Sequence, residues 1–342
     1  MLFIKKYVLF LCEQLKSDKM NLEFLKEVLS IPSISGDESL VREYIMDFAD
    51  QHNIDYYVDK KGNIYLTKGI IDENEFYPCV VSHMDTVHRH KQLIEENSRL
   101  TINEVVELSG KTKLFATHPV TNKETGIGGD DKCGVYVCLE LLLRFDKIKA
   151  SFFVEEEIGM LGSKVSDNKF FENVGYAIQF DAPSSNWITE VCFGVELFDE
   201  EFKTKITESL RNDGYTKFSR DPFTDVNQLA SKYDFCCLNL GCGYYSQHSD
   251  FEYVLVEEVG DSIIAGENLI RLLGLEKQIH NKKPTSNKNF YPFFDRDDDL
   301  FYQDEFDTIS DDITKIVISL YNRGYDQDVI KDRVKLLLKI NF

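Results

Sequence analysis

Five short segments of this chain place an acid or a histidine where an apolar run stops: SHMDTV at 82–87, GGDDKCG at 128–134, VEEEIG at 154–159, QFDAP at 179–183 and QHSDFEY at 247–253. Short apolar runs bounded by turn signals read as buried strands, and strands alternating with helical patterns read as an α/β fold. In open α/β sheets ligands gather beyond the carboxyl ends of the strands, where these polar residues fall. Two histidines and three carboxylates are what a pair of divalent metals needs, with two acids left for support and proton transfer. Taken together and in this order, the segments constrain the chain to a two-metal hydrolase site on an α/β frame.

The residue chemistry supports that reading segment by segment. Pro78 to Val81 reads as a buried strand delivering His83. Residues i and i+2 of a strand share a face, so Asp85 is expected to accept the second ring proton of His83, fixing its tautomer and raising its basicity toward a metal. Gly128-Gly129 lets the backbone turn tightly before Asp130. A bridging carboxylate allows two cations to sit about 3.5–4 Å apart. Glu156 and Glu157 are adjacent, so one can bind metal while the other faces a water whose pKa a metal lowers to about 7.

The motif order resembles the co-catalytic zinc exopeptidases, the group holding peptidase T, the aminoacylase and desuccinylase family and the tetrahedral aminopeptidases. The resemblance spans roughly residues 20–275. It implies a three-layer α/β/α fold with a mixed, mostly parallel central sheet. It makes His83, Asp130 and Asp181 ligands of one metal, and Asp130, Glu157 and His248 ligands of the other, with Asp130 as the bridge. Asp85 would orient His83, and Glu156 would be the general base, because the family reads Glu-Glu-apolar-Gly and this chain has Glu156-Glu157-Ile158-Gly159. It also implies a cis Asp130–Asp131 peptide bond. Larger members carry a lid between segments matching Asp181 and His248, or between His83 and Asp130; both intervals are short here, so the chain is read as lidless.

Composition narrows the function. The net charge of −20 leaves no basic patch for nucleic acid. The apolar run Tyr7–Cys12 is far below the ~20 residues that span a bilayer, and no small-residue cleavage site follows it. The eight cysteines lack zinc-finger or secretory spacing and read as reduced thiols of a cytoplasmic protein.

Helices are expected at Leu22–Leu29, from Asp37 or Ser39 to about His52, from Cys133 through Leu142, over Asp199–Arg211 and over Val256–Leu272. Asp55–Asp59 and Asn63–Thr67 read as a hairpin; 77–82, Ala150–Val154, Tyr176–Phe180 and Phe235–Leu240 read as strands. Residues 88–128 read as irregular, with short strands at Val105–Leu108 and Lys113–Ala116. The expected organisation is an N-terminal helical extension over 1–19, a catalytic domain over 20–275, a polar linker over 276–307 and a helical appendage over 308–342.

Several polar residues have plainer readings. His88 and His90 are expected at the surface or in loops, and His118 in a loop near the cleft. Asp131 and Lys132 are expected behind the ligands, and Glu155 as a solvated residue or a contact for a substrate amine. Tyr244 or Tyr245 is the candidate donor to an oxyanion, the other being packing. Thr224-Asp225 braces the His248 loop or caps a helix. The resulting expectation is an aminopeptidase acting on short peptides with two divalent metals per chain, zinc first and cobalt or manganese as alternatives. An amidohydrolase of N-acyl amino acids and a silent metal-binding scaffold are the competing readings, and the oligomeric state is open.

Overall fold

The apolar runs that end at the motif residues are strands. In the computed structural model, which describes residues 20–220 and 223–281, Tyr77–His83, Ile148–Phe153, Val174–Ala182 and Cys237–Gly241 are buried at every position. Strands covered on both faces must be apolar throughout. These four lie side by side and parallel, in the order 148–153, 77–83, 174–182, 237–241. The Asp55–Val58 and Ile64–Lys68 hairpin extends one side antiparallel, and Trp187–Thr189 with Lys217–Ser219 extends the other, giving eight strands. The hairpin turn is fixed locally: Asp59 Oδ1 accepts from the amides of Lys61, Gly62 and Asn63 at 2.8–3.0 Å.

Alternation along Val174–Ala182 separates two helical layers. Tyr176 and Phe180 face one side, where the Tyr176 hydroxyl donates to Gly274 O at 3.1 Å and the Phe180 ring lies against Gly266 of the Val256–Leu273 helix. Gln179 faces the other, accepting from Thr224 Oγ1 at 2.8 Å and Val226 N at 3.0 Å at the start of the Val226–Lys232 helix. The Gly129–Arg144 helix is buried from Cys133 to Leu142. Leu22–Ser30, capped by Asn21 Oδ1 on Phe24 N (3.1 Å), buries Leu25, Val28 and Leu29, and Phe24 meets Tyr136 of that central helix edge-on. The architecture is α/β with helices on both faces of a mixed, mostly parallel sheet.

The stretch read as irregular is more ordered than its sequence suggests. Thr101–Val106 and Thr112–Thr117 form an antiparallel hairpin, and Glu107–Lys111 is its turn, so the strand expected to reach Leu108 ends at Val106. The hairpin joins Glu124–Thr125, Tyr253–Leu255 and Tyr244–Tyr245 in a second sheet. Between Asp181 and His248, strands Trp187–Thr189, Lys217–Ser219 and Cys237–Gly241 all join the central sheet, and no separate lid forms among the described residues. Residues 276–281 hydrogen-bond to the sheet, with Gln278 O accepting from Cys236 N (2.8 Å) and Gln278 N donating to Gly175 O (2.9 Å). The helical extension expected over 1–19, the appendage over 308–342 and the rest of the expected linker lie outside the described residues. Among the described residues no helix is long and apolar enough to cross a membrane.

Candidate metal centre

Three neighbouring parallel strands carry the site at their carboxyl ends: His83 closes Tyr77–His83, Asp181 is the penultimate residue of Val174–Ala182, and Glu156 and Glu157 follow Ile148–Phe153. Asp130 comes from the start of the Gly129–Arg144 helix, where Asp130 and Asp131 have non-helical dihedrals and a cis peptide bond joins them. His248 enters from the loop after Tyr244–Tyr245.

The five motif residues converge. His83 Nε2 lies 3.2 Å from Asp130 Oδ1 and 3.6 Å from Asp181 Oδ1. His248 Nε2 lies 3.3 Å from Asp130 Oδ2 and 3.1 Å from Glu157 Oε2. Metal–ligand bonds of about 2.0–2.1 Å in a tetrahedral shell put ligand atoms about 3.3 Å apart. Asp130 thus offers one oxygen to each histidine, the arrangement of a bridging carboxylate. Glu156 is buried, with Oε2 at 3.9 Å from His83 Nε2. Its Oε1 and His83 Nε2 are both buried without a hydrogen-bond partner.

The charge balance fits cations. Burial pulls the His83 imidazole down, but Asp181 and Asp130 outweigh it and hold the ring well above its ordinary range. His248 is likewise pushed up to about 11 by Glu157 and Asp130 against its burial. Burial drives Asp181 and Glu156 well above the usual carboxylate range, and Glu157 upward. Three buried acids and the partly buried Asp130 outnumber the two imidazoles they surround, and buried carboxylates of this kind are stable when paired or metal-coordinating. The donor set of imidazoles and carboxylates suits zinc, and tolerates cobalt or manganese.

Asp85 meets the His83 ring with both its backbone and its side chain. The strand ends at His83, yet the chain keeps Asp85 within reach of the imidazole. His83 Nδ1 lies 3.0 Å from the backbone carbonyl of Asp85 and 3.4 Å from its carboxylate. That carboxylate also accepts from Ser35 Oγ (2.7 Å), Glu156 N (2.9 Å) and Glu157 N (3.1 Å), so Asp85 touches both the imidazole and the glutamate turn.

Asp131 also lies close enough to His83 and Asp181 to be a ligand. Its oxygens are occupied, however, by Ser82 Oγ (2.7 Å), His83 N (3.2 Å) and Gly134 N (3.2 Å), whereas those of Asp130 face the two imidazoles. Lys132 donates to Leu29 O and Ile31 O at 2.7 and 2.8 Å, away from the ligands. Glu155 pairs with Lys61. Thr224 bonds Gln179, and Asp225 is fully buried. The Tyr244 hydroxyl reaches Asp181 Oδ1 at 3.4 Å, while that of Tyr245 donates to Glu258 at 2.6 Å.

His88 and His90, expected near the surface, are buried. His90 Nε2 lies 3.0 Å from Thr125 Oγ1, and His88 Nε2 lies 2.6 Å from Glu252 Oε2. His118 Nδ1 accepts from Val120 N at 3.2 Å, closing its own loop. Glu252, the residue sequence reasoning missed, is fully buried beside the Asp130 loop. Its one signal was its place in QHSDFEY, four residues after His248.

No protein-family model and no curated protein sequence matches the chain. Solved structures do. Aminopeptidase PepT from Bacillus cereus superposes with a TM-score of 0.56 at 13% identity, covering 73% of this chain and 97% of the other. A tripeptidase from Staphylococcus aureus gives 0.56 at 14%, over 74% and 97%. A TET aminopeptidase from a marine sediment thaumarchaeote gives 0.58 at 13%, over 76% and 98%. Likeness at such identity speaks for the backbone: this chain shares the fold of these aminopeptidase and tripeptidase structures.

Proposed function

We propose that this chain is a metal-dependent exopeptidase that releases residues from the amino end of short peptides. The observation that carries the reading is Asp130, whose two carboxylate oxygens lie 3.2 and 3.3 Å from two different imidazoles. His83, Asp130 and Asp181 would hold one divalent ion and Asp130, Glu157 and His248 the other. Bound there, two ions would polarise the scissile carbonyl and lower the pKa of the attacking water.

The remaining steps belong to side chains of the protein. Glu156, with one buried oxygen unpartnered, takes the proton of the attacking water and hands it to the leaving amine. Asp85 fixes the backbone beneath Glu156 and Glu157, so the base and the neighbouring ligand keep their separation. The developing oxyanion is assigned to the Tyr244 hydroxyl, whose bond to Asp181 is long at 3.4 Å, rather than to that of Tyr245, which donates to Glu258 at 2.6 Å. Lys132 is turned inward and Lys61 is paired with Glu155, so neither offers a free ammonium to a substrate carboxylate. The surplus of acids favours a cationic substrate end. The catalytic unit is assigned to residues 20–275, and its free, buried thiols fit a reducing compartment.

The test is a turnover panel on the full chain loaded with Zn²⁺, Co²⁺ or Mn²⁺, comparing di- and tripeptides and aminoacyl anilides with their N-acetylated forms and with N-acyl amino acids. Cleavage of free-amine substrates, lost on acetylation, is expected. Hydrolysis confined to N-acyl amino acids would replace the proposal with an amidohydrolase, and metal binding without turnover of any class would make the chain a scaffold.

A further inference from the structure

We propose that Glu252 is a positioning residue that sets the spacing between the two halves of the metal centre by gripping the backbone of Asp130, with His88 as its brace. The inference rests on the two-metal reading above.

Glu252 has no exposed surface and uses both carboxylate oxygens. Oε1 accepts from Asp130 N at 3.0 Å; Oε2 accepts from Gly128 N at 2.7 Å and lies 2.6 Å from His88 Nε2. The loop that carries it also carries His248. Within that loop Ser249 Oγ donates to Ser246 O (2.6 Å), Phe251 N donates to Ser249 Oγ (3.2 Å), and Glu252 N donates to Ser249 O (3.2 Å). His248 at one end faces the Asp130 carboxylate at 3.3 Å, and Glu252 at the other holds the Asp130 amide. One short loop therefore takes hold of the proposed bridging residue from two directions.

The glycines around Asp130 are packed tightly against the same group of side chains. A Cβ on Gly126 would fall 1.8 Å from His88 Cε1, and one on Gly129 would fall 2.8 Å from Tyr244 Cβ and 3.4 Å from Glu252 Oε1. With Glu252, the His88 ring and Tyr244 packed against it, the backbone around Asp130 has little room on this side. Burying a carboxylate is costly, and an apolar residue of similar size would fill the same space with less penalty. What an apolar residue cannot do is receive the Gly128 and Asp130 amides. Charge-assisted bonds to a carboxylate are short and directional, which suits a site whose ligands must stay within about 0.5 Å of their working positions.

The experiment uses the metal-free full chain, in wild-type form and as Glu252→Gln and His88→Gln, titrated with Co²⁺ and with Zn²⁺. The readouts are ion stoichiometry, the affinity of each site, the Co²⁺ absorption spectrum and thermal unfolding of the metal-free protein. Glutamine keeps the size of Glu252 but replaces one acceptor by a donor facing an N–H. Loss of a partner that orients a ligand typically weakens metal binding about 10–100-fold. That loss is expected for Glu252→Gln at both sites, because Asp130 serves both, together with an altered Co²⁺ spectrum; a smaller loss of the same kind is expected for His88→Gln. If the wild type binds two ions and both variants keep its affinities and spectrum while only metal-free stability falls, Glu252 merely supports the loop and the inference fails. A wild type that binds fewer than two ions overturns the two-metal reading itself, and with it this one.

Discussion

Replacing Asp130 by alanine tests the bridge directly. The two Asp130 oxygens stand 3.2 Å from His83 Nε2 and 3.3 Å from His248 Nε2, so the substitution removes one ligand from each proposed site at once. Structural zinc sites bind with about 10–16 kcal/mol shared among four ligands, or roughly 3 kcal/mol for each. A loss of that size is on the order of a hundredfold in affinity per site. A second penalty follows from charge. Two unit charges 4 Å apart repel by about 4 kcal/mol at an effective dielectric of 20, and divalent ions repel more strongly, so a bridge that carries negative charge between them matters beyond its bonds. The Asp130 backbone stays anchored by Glu252, which keeps the perturbation local. Elemental analysis after dialysis should therefore find one ion or fewer in Asp130→Ala, while His248→Ala, which leaves His83, Asp130 and Asp181 in place, should still retain one. Two ions held by Asp130→Ala with wild-type affinity would refute the bridging assignment.

Two further outcomes follow from the same structure. Glu156→Gln should keep both metals and the fold, because Glu156 Oε1 has no hydrogen-bond partner to lose, yet turnover should fall by about 10²–10⁴; full activity in this variant, measured beside its metal content, would remove Glu156 as the base. Away from the site, Lys149 is buried, donates to Asn173 Oδ1 at 2.6 Å and to Phe170 O, and is held down to about 8 by burial. The unfolded chain binds this proton up to its ordinary pKa near 10.5, so native stability rises between about pH 8 and pH 10.5 as the buried charge is relieved, by on the order of 2 kcal/mol. Denaturant unfolding of metal-free protein should show that rise in the wild type and not in Lys149→Met; a stability difference between the two that stays constant over this window would contradict it.

What the sequence made legible was whatever leaves a local trace. The candidate ligands stand where apolar runs stop, and the five side chains lie together in the structure. Helix Val256–Leu273 and the Asp199-capped Glu200–Asn212 helix fall within a residue or two of their periodic patterns. Two strands of the second sheet were legible in part, with Lys113–Ala116 lying inside Thr112–Thr117, but the pairing with Tyr253–Leu255 far along the chain left no local trace. The period-2 argument for Asp85 presumes that the strand continues; it stops at His83, yet the Asp85 carboxylate still lies 3.4 Å from His83 Nδ1. The His88–Glu252 pair is invisible for the same reason as the sheet, since a buried polar contact across 164 positions has no periodicity to detect.

The contacts that left no local trace share one feature, which is that acids of this chain hold backbone as well as charge. His83 N donates to Asp131 (3.2 Å), Glu156 N and Glu157 N donate to Asp85 (2.9 and 3.1 Å), and Asp130 N donates to Glu252 (3.0 Å). Asp181 N donates to the Asn239 side chain at 2.9 Å. Each of these site residues is thus fixed at its amide by a buried side chain from a different segment. Loops at strand ends are ordinarily the least constrained part of an α/β protein, and a metal centre assembled from them needs some other source of rigidity. The crossed amide contacts supply it before any ion arrives. The apparent surplus of carboxylates in the motifs is then a division of labour: Asp130, Glu157 and Asp181 face the proposed metals, while Asp85, Asp131 and Glu252 keep those faces aligned. Because every tie joins two segments, substitutions among Asp85, Asp131 and Glu252 should not act independently; loosening one lets the ligand of another segment drift, and the centre responds as a single unit.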